Sequence, residues 1–156
     1  MRRYLVATTV VAALVLPALA TAKGPASAVI TGPSPARMLA VTGNGETLGT
    51  PLGTLANASG FFAQVFGQTP DPTLRLRPKG TLGPRYKVVY LVPGPNNVSS
   101  RIVQIVYPYA KPVALTFMRA GQAVWEGQTT YGGWFRAASS LKPMLVRAGL
   151  PSRKPA

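Results

Sequence analysis

Ser139 and Lys142 form a Ser-x-x-Lys pattern, the one motif in this sequence whose spacing matches a catalytic site. On one helical turn this spacing brings a serine hydroxyl close to a lysine amine, as in the penicillin-recognising enzymes, where the serine is the nucleophile. The Ser-Asp-Asn and Lys-Thr-Gly motifs of those enzymes are missing from the sequence, and their folds need a far longer chain. A serine is also a common helix cap, which is the interpretation we favour. A small serine hydrolase or transpeptidase-like enzyme using Ser139 and Lys142 is the alternative.

Most other catalytic chemistry is excluded by the residue types. The 156 residues contain no His and no Cys, which removes the Ser/His/Asp triad, the thiol nucleophile and any credible transition-metal site. A glycosidase needs two facing carboxylates, but the three acidic residues Glu46, Asp71 and Glu126 each lie in or beside a predicted turn. We therefore predict a protein without catalytic residues, bound metal or cofactor.

The first 22 residues have the three parts of a secretory signal peptide. They begin with two arginines, continue with an apolar run at 4–20, and end with the small residues Ala20 and Ala22 that signal peptidase requires. An uncleaved membrane anchor is the alternative, because the apolar run approaches the roughly 20 residues of a spanning helix. Cleavage predicts a secreted or envelope-associated protein. Its predicted parts are a linker at 23–28, a single domain at 29–151 and a basic tail at 152–156.

The charge of the chain favours anionic partners. The sequence has 17 Lys and Arg against three Asp and Glu, a net charge of +14, and removal of the signal peptide leaves +12. An excess of this size attracts polyanions without specifying one. Because an exported chain meets the polymers of the cell envelope first, we predict an anionic or carbohydrate polymer as the partner and expect no nucleic acid. Contact with a membrane is predicted only through an uncleaved signal segment.

Two features of the sequence could hold such a polymer. The basic residues are scattered except for one dense cluster between positions 75 and 87, and aromatic residues that lie among the cations suit stacking on sugar rings. Aromatic residues also fill protein cores, and we expect that role for at least half of those in the C-terminal third. The predicted ligand-binding residues are Arg75, Arg77, Lys79, Arg85, Lys87, Tyr109 and Trp125.

Residues 86–117 predict the centre of an antiparallel sheet. Three runs rich in β-branched and aromatic residues are separated by Pro, Gly, Asn and Ser, and runs this close in sequence usually pair with each other. Strict alternation in the second run places Ile102, Gln104 and Val106 on one face of the strand. A hairpin is predicted upstream, at 28–43, and a short edge strand at 74–77.

Two segments have the periodicity of helices instead. Apolar residues at steps of three and four predict an amphipathic helix from Thr47 to Phe66, in which Pro51 suits a first turn, and a second helix from Ser140 to Ala148. We therefore predict one α+β domain, with an antiparallel sheet of about five or six strands and the two helices packed on one face. An all-β sandwich is the alternative.

Several short segments resemble a known group of proteins. They are residues 29–33 (VITGP), 82–86 (LGPRY), 107–110 (YPYA), 121–122 (GQ) and 133–137 (GWFRA), followed by a short helix. Together they are similar to small secreted proteins of unknown function that are common in high-GC Gram-positive (actinobacterial) bacteria. The resemblance implies export and an envelope or extracellular setting. It implies no activity and no catalytic residues.

Overall fold

Six strands and three short helices make up the regular structure of the described part of the chain. The computed structural model describes residues 24–33, 38–95, 98–125 and 127–155, and the predicted signal peptide at 1–22 lies outside them. In chain order the elements are β1 (Ser27–Thr31), β2 (Met38–Thr42), α1 (Pro51–Ala58), α2 (Phe61–Phe66), β3 (Tyr86–Pro93), β4 (Ser99–Tyr107), β5 (Leu115–Met118), β6 (Gly133–Arg136) and α3 (Leu141–Arg147).

The strands form one antiparallel sheet in the order β2-β1-β3-β4-β5-β6. The hairpin of β1 and β2 forms as predicted, with Ala28 opposite Val41, and the other side of β1 pairs with β3, where Ala28 lies opposite Tyr90. β1 begins within the segment predicted as a linker. Gly24, just before it, is buried and donates its backbone N–H to the Glu46 carboxylate, so this segment packs into the domain.

The three helices, which form from the two predicted helical segments, pack on one face of the sheet, as predicted for those segments. Alternate residues of the central strands point to that face and are buried, among them Ile102, Gln104 and Val106. The helices cover these alternate side chains, most of which are apolar. The main core of the α+β fold therefore lies between this face of the sheet and the helices. The helix residues in that core include Leu52, Leu55, Phe61, Leu141 and Leu145.

The segment predicted as one helix from Thr47 to Phe66 forms two helices, α1 and α2. Pro51 is the first residue of α1, and the Thr50 hydroxyl caps it by accepting the backbone N–H of Gly53 at 3.0 Å. The break falls at Gly60, whose φ of 74° is left-handed. A Cβ there would lie 2.4 Å from the Phe135 ring. The contact of α2 with β6 therefore ends the first helix, which periodicity alone does not reveal.

The last helix runs over Leu141–Arg147 instead of Ser140 to Ala148. Ser140 occupies the N-cap position, but its side chain makes no capping hydrogen bond. Ser140 therefore lies at the predicted start of the helix, but its side chain does not cap the helix.

A network of buried polar side chains joins the α1–α2 junction to the sheet. The Tyr90 hydroxyl donates to Gln104 Oε1 at 2.9 Å and lies 3.1 Å from Ser59 Oγ. Gln104 Nε2 donates to the Ser59 carbonyl and to Gln64 Oε1, and the Thr116 hydroxyl donates to the same Ser59 carbonyl at 2.7 Å. All five side chains are inaccessible to solvent. Because their bonds are mutual, they fix the helices in one position on the sheet.

The long connection between α2 and β3 is attached at two points. The predicted edge strand at 74–77 is reduced to one bridge, in which Leu74 pairs with Trp134 of β6, and Thr81 pairs with Lys111 beyond the end of β4. These backbone pairs hold a segment that is rich in Pro and Gly against the sheet.

Candidate functional site

A pocket of about 630 Å³ lies where the β4–β5 turn, the start of α3 and the C-terminal tail meet. Each of these three parts contributes cations and hydroxyl groups to its wall. The polar lining consists of Tyr109, Lys111, Ser139, Lys142, Ser152, Arg153 and Lys154. We call this cavity the basic pocket.

Tyr109 connects the three parts of the basic pocket. Its side chain is nearly buried, its hydroxyl donates to the Pro151 carbonyl of the tail, and its ring lies 6.1 Å from that of Tyr86. The Lys142 ammonium of α3 lies over the same ring, 5.1 Å from its centroid, in cation–π geometry. Burial, and then the hydrogen bond and charge repulsion from Tyr86, raise the pKa of Tyr109 to about 12. At neutral pH it is therefore a neutral anchor among the cations.

The charge of this pocket favours anions. Among the residues that the structure describes, its lining includes Lys111, Lys142, Arg153 and Lys154 and no carboxylate. Like charges in one cavity repel each other, and a bound anion with several oxygen atoms would relieve that repulsion while it accepts hydrogen bonds.

The α2–β3 connection places two residues of the predicted cluster beside the basic pocket. Lys111 donates its backbone N–H to Thr81 O at 2.9 Å. Gly80 packs so closely that a Cβ would lie 2.1 Å from Lys111 O, and a Cβ on Gly83 would contact Tyr109. Lys79 precedes Gly80 directly and Arg85 lies two residues after Gly83, and both side chains are exposed.

Other predicted ligand residues lie elsewhere. Hydrogen bonds from Thr73 and then from Tyr131 lower the pKa of Asp71, and the charge of the nearby Arg75 lowers it a little further. Lys87 projects from β3 on the sheet face opposite the helices. Trp125 is half-buried and packs on Phe66, with 5.8 Å between ring centroids, so it supports the core. Arg77 is exposed on the α2–β3 connection. The predicted set is thus spread over several parts of the surface.

Ser139 and Lys142 both line the basic pocket. In the described part of the chain no hydrogen bond joins the Ser139 hydroxyl to the Lys142 amine, whose ammonium group lies over the Tyr109 ring instead. A serine nucleophile needs a base within hydrogen-bond reach. The arrangement is therefore suited to holding a ligand by charge and hydroxyl groups.

Sequence reasoning missed most of the basic pocket because its cations come from distant positions. Lys111 is not among the predicted ligand-binding residues, and the sequence predicts only a basic tail at Arg153 and Lys154. The one local signal was the basic composition of residues 152–156.

Comparisons with protein-family models, with curated protein sequences and with solved structures found no significant match. Within the described ranges, no helix has the length and apolar character needed to cross a membrane. The same residues contain no group of three acidic, His or Cys side chains that could hold a metal ion.

Proposed function

We propose that this protein is an exported, non-catalytic protein of the cell envelope that binds an anionic polymer through the basic pocket. The observation that carries the proposal is the pocket itself, with four cations and two serine hydroxyls in its described lining. A polymer with repeated phosphate or carboxylate groups would place one group in the pocket. Its neighbouring groups would reach Lys79 and Arg85 on the adjoining connection.

The net charge of the chain supports the same partner class. A charge of +14 for the whole chain brings polyanions to the surface. The pocket adds what charge alone does not, a concave site in which several donors converge. Export rests on the signal-like residues 1–22 and is part of the proposal.

The test is binding of labelled polyphosphate and labelled hyaluronate, with neutral dextran as the reference. We expect affinity for a polyanion to fall steeply between 0.1 M and 1 M salt, where the Debye length shortens from about 10 Å to about 3 Å. Changing Lys111, Lys142 and Arg153 together to Gln is expected to reduce affinity at 0.1 M salt at least tenfold.

A charge-matched control separates the pocket from net charge. Changing Lys87, Arg101 and Arg119 to Gln removes the same three charges from exposed positions outside the pocket. We expect this variant to lose less than threefold. Equal losses in the two triple variants would show that the attraction is general, and binding that 1 M salt leaves intact would refute the electrostatic mechanism.

The alternative function, a serine hydrolase or transpeptidase-like enzyme, is favoured by one observation, the presence of Ser139 and Lys142 in the same pocket. A fluorescent β-lactam and a fluorophosphonate discriminate between the two functions. The binding proposal expects neither to label the protein, and stoichiometric labelling of Ser139 would overturn it.

A further inference from the structure

Tyr131 is the most exposed of the described tyrosines, with half of its side-chain surface accessible to solvent. It lies between two adjoining clefts and contributes to both. One cleft, of about 720 Å³, is lined by Phe66, Gln68 and Asp71, and the other, of about 270 Å³, by Thr73, Arg75 and Gly133. The two clefts together form a groove that passes the Tyr131 ring.

The position of this ring is fixed from several sides. Its hydroxyl donates to Asp71 Oδ2 at 2.9 Å, and its backbone N–H donates to the Val65 carbonyl of α2 at 3.2 Å. A Cβ on Gly67 would lie 3.7 Å from the ring, so part of the ring rests against that residue. An exposed aromatic ring that is already immobilised loses little conformational entropy when a ligand stacks on it.

Asp71 has capacity for a ligand beyond its present bonds. One of its oxygens accepts from Tyr131 and the other from the Thr73 backbone N–H at 2.8 Å, and a carboxylate has about four acceptor positions. These hydrogen bonds, with that from Thr73 first, lower the pKa of Asp71, so the group is an ionised acceptor at neutral pH.

The charge of the groove differs from that of the basic pocket. Asp71 and Arg75 contribute one negative and one positive charge, and the other named lining residues are neutral. A polyanion would meet the Asp71 carboxylate there, whereas a neutral ligand with hydroxyl groups would find both acceptors and donors.

We propose that this groove binds a neutral oligosaccharide chain, with one pyranose ring stacked on Tyr131 and sugar hydroxyls bonded to Asp71 and Gln68. A sugar ring offers axial C–H groups to an aromatic face and hydroxyls to the polar groups at its rim. The clefts on the two sides of the ring, of about 720 Å³ and 270 Å³, leave room for more than one sugar unit. This site is separate from the basic pocket and does not depend on its function.

The experiment is isothermal titration calorimetry of the full chain with maltotetraose, cellotetraose, chitotetraose and glucose in 1 M NaCl, which suppresses electrostatic attraction to the basic pocket. We expect at least one tetrasaccharide to bind, and to bind at least tenfold more tightly than glucose. Tyr131→Ala is expected to lower that affinity at least tenfold, and Tyr131→Phe, which keeps the ring, is expected to lose less. Tyr131 is exposed, so the thermal midpoint should change little.

Leu76→Ala is the matched control, because Leu76 is an exposed apolar residue of the same connection outside both clefts. It is expected to bind as the unchanged protein does. Amide NMR shifts on binding are expected at residues 67–75 and 131–133. The proposal is overturned if none of the tetrasaccharides binds at 10 mM, if Tyr131→Ala retains full affinity, or if the shifts appear at residues 109–114 instead.

Discussion

Replacing Gln104 by Leu is expected to destabilise the fold strongly although the new side chain is apolar, of similar size and placed in a core. Gln104 is inaccessible to solvent and makes three hydrogen bonds, one from the Tyr90 hydroxyl and two to Ser59 and Gln64. Leu at position 104 would make none of them.

The magnitude follows from what each partner retains. Tyr90 still has the Ser59 hydroxyl, and the Ser59 carbonyl still accepts the single Thr116 hydroxyl proton at 2.7 Å. Gln64 Oε1 keeps only a 3.4 Å contact with that same hydroxyl, so its loss is the largest of the three. Each lost bond costs about 0.5–1.5 kcal/mol, and the sum is about 2–4 kcal/mol. Tyr90→Phe removes one hydroxyl and leaves Gln104 Oε1 without its donor, which costs about 1–3 kcal/mol.

Urea unfolding and thermal melting measure both variants and the double variant. We expect Gln104→Leu to lower the melting temperature by about 5–15 °C, at about 2–4 °C per kcal/mol for a chain of this size. The double variant should lose less than the sum, because the two residues share a bond. Gln128→Leu, the same change at an exposed position, should stay within about 0.5 kcal/mol. A Gln104→Leu protein as stable as the original would refute the view that this network holds the helices on the sheet.

Two further predictions concern Tyr109 and Gly60. Because the pKa of Tyr109 is raised to about 12 from its ordinary value of about 10, its contribution to stability is complete below pH 10 and is lost as pH rises through 12. The stability of Tyr109→Phe should fall less over that interval, and an equal fall in both proteins would contradict the assignment. Gly60→Ala should destabilise more than Gly121→Ala in urea unfolding, since both residues have left-handed φ but only Gly60 faces a ring, that of Phe135. The Gly121 change should cost about 1–2 kcal/mol and the Gly60 change about 1–3 kcal/mol more, and equal costs would show that the Phe135 contact yields freely.

Local patterns were sufficient for the sheet and its faces. The alternation of Ile102, Gln104 and Val106 predicted which side of β4 is buried, because a side-chain period of two is a property of the strand itself. The same pattern could not explain why a glutamine belongs there. Its partners Ser59 and Gln64 lie about 40 positions earlier, and only the packed fold brings them together.

The helix break had a local signal of small weight. A glycine inside a helix costs only about 1 kcal/mol relative to alanine. Gly60 alone therefore does not contradict the long apolar stripe, which predicts one helix. What decides the conformation there is Phe135, 75 positions later, whose ring occupies the space of a side chain at position 60. A steric contact between residues so far apart in the chain cannot be predicted from the local sequence.

Composition predicted that binding surfaces would be basic, but it could not group the cations. Lys111, Lys142 and Arg153 come together only because a turn, a helix start and the tail meet around Tyr109. The cluster between positions 75 and 87 looked continuous along the chain, yet Arg75 and Lys79 lie on different parts of the molecule.

The α2–β3 connection explains this separation. Its backbone is attached first to β6, through Leu74 and Trp134, and then to the β4–β5 turn, through Thr81 and Lys111. Residues on both sides of the first attachment line the groove beside Tyr131. They include Asp71 and the oppositely charged Arg75. Those around the second are basic and adjoin the basic pocket. Because the first half is fixed to the edge strand β6 and the second half to the β4–β5 turn, one proline-rich segment contributes a nearly neutral surface at one end and a cationic surface at the other.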